Sequence, residues 1–213
     1  MVWGHTLRAS RLAGNGADRR QTRRTVAGAM AEEEVLIRPA RPGDATRIAE
    51  IYNEGIEDRM ATFETVPRTR EDVLRWFDEA FPVLVAEVGT GEVVAWASAP
   101  PYRRDRPAYR GVAEFSVYVA REHRGLGAGR AIMQDLVGQC ERAGFWKLVS
   151  RIFPENEASL ALCRALGFRE VGTYRGHAKL DGEWRDCVIV ERLLGEAALG
   201  VTPHSSARDD GPR

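Results

Sequence analysis

Residues 111–140 join a strand, a glycine-rich turn and a helix with almost nothing between them, and this restricts the fold more than any other part of the chain. The run GVAEFSVYVA alternates Glu114, Ser116 and Tyr118 with Ala113, Phe115, Val117 and Val119, the period of a strand whose two faces meet different surroundings. RGLGAG follows, and then RAIMQDLVGQC, which puts Ile132, Met133, Leu136, Val137 and Cys140 on one helical stripe, with Gly144 beyond it as a C-cap. Gly125, Gly127 and Gly129 therefore fall at the start of the helix, where free amides and the positive dipole end suit a phosphate.

The spacing narrows the ligand. The dinucleotide fingerprint G-x-G-x-x-G fails because the third position after Gly127 is Arg130. The P-loop fails because no Gly-Lys-Ser/Thr follows. What remains is R-x-x-G-x-G, here Arg124, Gly125, Leu126, Gly127, Ala128 and Gly129. On these six residues alone, a glycine turn without a ligand stays open.

At 213 residues the chain has room for one ordinary domain and extensions, and its 44% apolar and 29% charged content is that of a globular protein. No apolar run approaches the roughly 20 residues of a membrane span. The net charge is zero, but residues 1–31 hold six Arg against one Asp and the last nineteen hold two Arg against three acids. The body between is mildly acidic, which gives no reason to expect nucleic acid. Three widely spaced cysteines, Cys140, Cys163 and Cys187, read as buried free thiols in a reducing cytosol, neither a disulfide framework nor a zinc site.

Residues 1–31 show no periodicity and are rich in Arg, Gly and Ala, superficially like a transit peptide. An unstructured extension over 1–33, or an upstream start ahead of Met30, is expected, and an unstructured tail over 195–213. Between them, residues 35–39 predict a strand, and Asp44 an N-cap for a helix carrying Ile48, Ile51, Tyr52, Gly55 and Ile56. Thr69 and Asp72 form a capping box before Val73, Trp76, Phe77 and Ala80. Residues 83–88 and 93–98 read as a hairpin, 148–153 as a buried strand, and Asn156 as the start of a helix ending at Gly167. Residues 169–175 and 183–190 form a last hairpin around Asp181-Gly182.

The R-x-x-G-x-G turn after a hydrophobic strand, and the order β-α-α-β-β-β-α-β-α-β-β over residues 34–194, resemble the GNAT superfamily of N-acetyltransferases. The resemblance implies an α/β GNAT fold, a mixed central sheet splayed at its middle with helices on both faces. The runs IYNEGIEDRMATFET, PYRRDRPAY, AEFSVYV and PENEASLALCRALGF are similar to the branch that acetylates phosphinothricin, methionine sulfone or sulfoximine, and arsinothricin. GFWKLVSRIFPEN and KLDGEWRDCVIVERLL resemble arsinothricin N-acetyltransferases within it.

The resemblance implies acetyl-CoA as co-substrate, with no metal. Its pyrophosphate would lie on the amides of Gly125, Leu126, Gly127, Ala128, Gly129 and Arg130, with Arg124 of the motif also in the cofactor site. Its pantetheine would pair with Val117, Tyr118 and Val119, and Asn156 would touch it from the next helix. An amide near Val117 would stabilise the oxyanion. Asn156 serves equally well as an N-cap. Glu114, three residues before Val117, is the candidate general base that removes the ammonium proton, against a solvated strand carboxylate. A doubly anionic acceptor calls for guanidinium groups, which Arg103, Arg104 and Arg106 offer just before Glu114. Phe115 and Ser116 beside the base, and Phe63 from the loop after the first helix, would line the acceptor site; core packing explains Phe63 as well.

One departure stands out. GNAT enzymes often carry a Tyr seven residues after the Asn to protonate the leaving thiolate; here that position is Cys163, and Ser159 replaces an Ala. The general acid is left open. His177, Trp184 and Asp186 are weaker candidates, the last two for the acceptor site or a homodimer interface. The expected protein is a cytoplasmic N-acetyltransferase of a small anionic amino acid, without nucleic-acid or membrane partners. The alternatives are a peptide N-terminal or polyamine acetyltransferase and a non-catalytic acyl-CoA sensor.

Overall fold

The computed structural model describes residues 21–27, 32–89 and 91–200; the readings made of 1–20, 28–31 and 201–213 lie outside them. The strands are β1 (Thr22–Ala27), β2 (Glu32–Pro39), β3 (Val83–Val88), β4 (Glu92–Ser98), β5 (Val112–Glu114), β6 (Ser116–Val119), β7 (Lys147–Ile152), β8 (Arg169–Leu180) and β9 (Glu183–Leu193). The helices are α1 (Ala45–Glu57), α2 (Arg70–Leu74), α3 (Ala128–Arg142), α4 (Glu157–Ala165) and α5 (Gly195–Gly200). Among the described residues no helix is long and apolar enough to cross a membrane.

Two sheets form, β1-β2-β3-β4-β6 and β5-β7-β9-β8. They come from one chain run that changes partner at Phe115. Glu114 belongs to β5, which pairs in parallel with β7, while Ser116 opens β6, which pairs antiparallel with β4. All other pairings are antiparallel. The splayed mixed sheet expected from the sequence is therefore present, with the break placed at one residue.

Side chains explain why both faces are covered. The α3 stripe Ile132, Met133, Leu136 and Cys140 is fully buried against Leu84, Ala97, Ala113 and Leu148. The opposite face receives Ile48 and Ile51 of α1 together with Val73 and Trp96. There Tyr52, Trp76, Trp96 and Tyr118 pack as one aromatic group; Trp96 and Tyr118 stack with centroids 4.8 Å apart and planes at 15°. Gly55 makes this possible, since a Cβ at that position would lie 2.6 Å from Tyr118 Cε1.

Local signals hold where the partner lies nearby in sequence. The Thr69–Asp72 box forms, with Thr69 N donating to Asp72 Oδ2 at 2.8 Å and Asp72 N to Thr69 Oγ1 at 3.2 Å. Asp181 and Gly182 both take positive φ, 50° and 88°, between β8 and β9. Cys140, Cys163 and Cys187 are free and buried.

Four expectations need correction. The unstructured extension over 1–33 does not hold for residues 22–27, which form β1 on β2. Arg24 there binds Asp135 Oδ1 and Gln134 Oε1 of α3, an anchor 110 residues away that no local pattern announces. Residues 195–200 of the expected tail form α5, whose Gly195 amide is held by Glu141 at 2.8 Å. Asp44 does not cap α1; its carboxylate takes the Arg41 amide and the buried Arg38 guanidinium instead. Ala80 is exposed, because α2 tightens into a 3₁₀ turn after Leu74 and loses the α-helical spacing.

Candidate active site

The site begins where the sheets part. Glu114 N donates to Pro100 O at 2.9 Å and Ala120 N to Val94 O at 2.8 Å, while Phe115 N turns the other way to Val149 O at 3.0 Å. By the two-residue period of a strand, the amides of Val117 and Val119 point away from β4 into the gap between β6 and β7. Among the described residues β6 is thus a sheet edge, its Val119 carbonyl taken by Arg124 and its Val117 and Val119 amides open to an extended ligand as one more strand.

The glycine turn lies at one end of this edge. Gly125 and Gly127 take φ of 79° and 96°, which an L side chain rarely adopts, and nothing lies within 4 Å of the Cβ position of Gly125. Gly127 is the N-cap of α3, so the first amides of a fifteen-residue helix open at the turn, with Ala128 and Gly129 in its first coil. Leu126 is half-buried and Arg130 exposed. Arg124 is spent differently from a phosphate ligand. Its Nε donates to Val119 O at 3.1 Å and its Nη1 to Asp58 at 2.6 Å. Burial pushes the Asp58 carboxyl up, but Arg124 and Arg121 outweigh it and hold it below the usual range.

At the other end lies a cavity of about 340 Å³. Glu114, Phe115, Ser116, Val117, Tyr118, Phe63 and Asn156 all line it, so seven of the residues expected from the sequence meet in one hollow. Asn156 both caps α4, accepting from Ser159 N at 3.1 Å, and donates to Met60 O at 3.0 Å. Phe63 meets Phe153 edge to face at 4.9 Å. Tyr52 and Tyr118 close one wall, and burial raises the Tyr118 phenol far above its ordinary value.

The three loop arginines are not brought into the cavity. Arg104 pairs with Glu79 and lies over Phe81, Arg103 lies over Tyr102 and Tyr109, and Arg106 faces the neighbouring Asp105 at 3.9 Å. Aromatic rings and an acid close to the loop hold these guanidinium groups. The basic residue that does line the cavity is Arg151 of β7, whose Nε and Nη2 donate to Glu114 Oε1 at 3.0 and 2.6 Å. The sequence reading passed over it, although a lone Arg in LVSRIF was a signal.

Cys163 lines the cavity, and burial pushes its thiol up to about 12, the wrong direction for a proton donor. His177 lies in β8 and packs 6.1 Å from the Phe63 ring. Asp186 accepts the Gly176 amide at 2.7 Å, and Trp184 is 67% exposed. Neither they nor His177 line the cavity. One group of metal-capable side chains occurs among the described residues, Glu92, Glu122 and His123; Arg47 already pairs with both acids, and none of the three lines the cavity.

A glycine turn at a helix N-terminus, an open strand edge and a carboxylate in line have the layout to seat a long phosphorylated carrier and present its end to a small amine. Comparison with known proteins agrees. A model of the Acetyltransferase (GNAT) family matches residues 48–168. The phosphinothricin N-acetyltransferase of Streptomyces viridochromogenes is 36% identical over 161 residues, 74% of this chain and 87% of that one. A phosphinothricin acetyltransferase from Sinorhizobium meliloti, solved in complex with acetyl-CoA, superposes with a TM-score of 0.73 at 33% identity, over 83% of this chain and 97% of that one. The ribosomal-protein-alanine N-acetyltransferase of Brucella melitensis superposes with a TM-score of 0.71 at 34% identity, over 75% and 99%.

Proposed function

The chain belongs to the GNAT acetyltransferase family and is an N-acetyltransferase, and from that premise we propose that it acetylates the α-amino group of a small anionic amino acid. Arsinothricin is the first candidate, with phosphinothricin and methionine sulfone beside it, and the role is detoxification in the cytoplasm. The observation that carries the reading is the unpaired β6 edge running from the glycine turn to Glu114.

In this reading acetyl-CoA rests its pyrophosphate on the amides from Gly125 to Arg130 and its pantetheine along Val117, Tyr118 and Val119. Arg124 shapes the turn through Val119 O and Asp58. Glu114 takes a proton from the acceptor ammonium, directly or through water. The freed nitrogen attacks the thioester carbon, and the Val117 amide receives the charge on its oxygen. The C–S bond then breaks, giving the N-acetyl amino acid and CoA. Phe63, Phe115 and Ser116 shape the acceptor end. A homodimer is part of the reading, supported by the exposed Val171, Tyr174 and Trp184 on β8 and β9.

The test is CoA release from acetyl-CoA with arsinothricin, phosphinothricin, methionine sulfone, an alanine-initiated peptide and a polyamine. Turnover with an anionic amino acid, falling about 10²–10⁴-fold in Glu114→Gln, is expected. Turnover with the peptide alone would favour an N-terminal acetyltransferase, the reading that the Brucella structure suggests. Acetyl-CoA binding without release would leave a sensor domain.

A further inference from the structure

We propose that Arg151 binds the α-carboxylate of the acceptor, so that the Glu114–Arg151 pair reads both ends of an amino-acid zwitterion; this rests on the amino-acid reading above. Of the residues lining the cavity, Arg151 alone is basic. The acids there are Glu114 and Glu64, and Glu64 is already paired with Arg68 at 2.7 Å. An anionic acceptor entering this cavity therefore meets one cation.

The geometry leaves that cation half available. Both hydrogen bonds from Arg151, through Nε and Nη2, go to Glu114 Oε1. Glu114 Oε2 and Arg151 Nη1 have no partner among the described residues. The guanidinium is 48% exposed and the carboxylate 29%. The pair is held by register. Val149 lies opposite Glu114 in the parallel ladder, and Arg151 is two residues further on the same face of β7. Phe115 N to Val149 O and Ser150 Oγ to Phe115 O, both 3.0 Å, fix the two strands beside it.

An α-amino acid carries ammonium and carboxylate on one carbon. Set against the pair, its ammonium falls to Oε2 and its carboxylate to Nη1, so opposite charges meet twice. The arrangement selects amines with a carboxylate on the adjacent carbon. A polyamine or an amino-acid amide would leave Arg151 without its second anion.

The experiment compares methionine sulfone and phosphinothricin with their α-carboxamides, using wild type, Arg151→Gln and Arg151→Lys. Wild type should favour the acids by about 10–100-fold in kcat/KM, the scale of one charge-assisted hydrogen bond. Arg151→Gln should remove that preference by raising KM for the acids far more than for the amides, without changing the acetyl-CoA KM, and Arg151→Lys should restore part of it. Equal losses for acids and amides would overturn the proposal and leave Arg151 a prop for Glu114. A wild type that ignores every amino acid but acetylates another amine would overturn the amino-acid reading itself, and this proposal with it.

Discussion

Asn156 ties the helix that follows β7 to a loop 96 residues earlier, because its Nδ2 donates to the Met60 carbonyl at 3.0 Å while its Oδ1 accepts from Ser159 N at 3.1 Å. The two bonds do different work. The first holds the loop that carries Phe63 over the cavity, and the second satisfies an orphan amide of α4.

Substitution separates them. Asn156→Asp keeps the cap but sets a carboxylate against the Met60 carbonyl, so the loop should open while α4 stays intact. The expected outcome is a melting temperature near that of wild type and a raised acceptor KM. Asn156→Ala loses both bonds and should also lose about 1 kcal/mol of stability. Thermal melts beside steady-state kinetics decide it; an Asp variant with unchanged acceptor KM would show that the Met60 bond does not shape the site.

Cys163 stands where many relatives of this fold carry a tyrosine, and its environment argues against a proton-donating role. With burial holding the thiol up at about 12, passing its proton to a thiolate of ordinary value near 8.5 runs uphill by roughly 5 kcal/mol. Cys163→Ala should therefore keep kcat within about twofold of wild type, with stability alone reduced. A loss of a hundredfold or more in single-turnover acetyl transfer would sink this.

Arg38 is buried between Asp44 and Glu87. Arg38→Met leaves both acids without their cation and should cost about 3 kcal/mol, near 10 °C in melting temperature for a chain of this size. The pair also sets an acid limit. Burial pushes the Asp44 carboxyl up, but hydrogen bonds from the Arg38 guanidinium and the Arg41 amide outweigh it and hold it below its ordinary 3.8. A depressed carboxylate contributes stability that is full above the unfolded value and disappears as pH falls through the folded one. The melting temperature should thus decline below about pH 4, and Asp44→Asn should flatten that decline. A slope identical in the variant would remove Asp44 from the cause.

The parts legible in the sequence were those whose physics is local. The α3 stripe, the Thr69–Asp72 box, the Asp181-Gly182 turn and RGLGAG each declare themselves within a few residues, and the resemblance joined them into one fold. What stayed hidden depends on partners distant in the chain. The polar run Thr22–Ala27 becomes a strand only because β2 offers an edge and Asp135 an anchor for Arg24. Arg103 and Arg104 looked available because the tyrosines that hold the first, and Glu79 and Phe81 that hold the second, are not evident as partners in sequence. Arg151 and Glu114 are 37 residues apart, and only the parallel β5–β7 register brings them together.

Gly55 tests whether the aromatic group behind β6 governs the site. The ring of Tyr118 lies over the α1 backbone there, stacked on Trp96 and tilted against Tyr52 at 4.8 Å, with the cavity as its one open side. A methyl at Gly55, 2.6 Å from Cε1, must displace the ring, and the ring moves β6, whose Val117 amide faces the gap. Gly55→Ala should therefore cost about 1–3 kcal/mol of stability and lower kcat/KM, although the residue does not line the cavity. The sign should reverse when the ring is absent. In a Tyr118→Leu background, Ala at an α-helical position is favoured over Gly by about 1 kcal/mol, so the same change should become neutral or stabilising. A double-mutant cycle on melting free energies reads this as a coupling of more than 1 kcal/mol. Additive effects would mean that Gly55 is there for the helix and not for the ring.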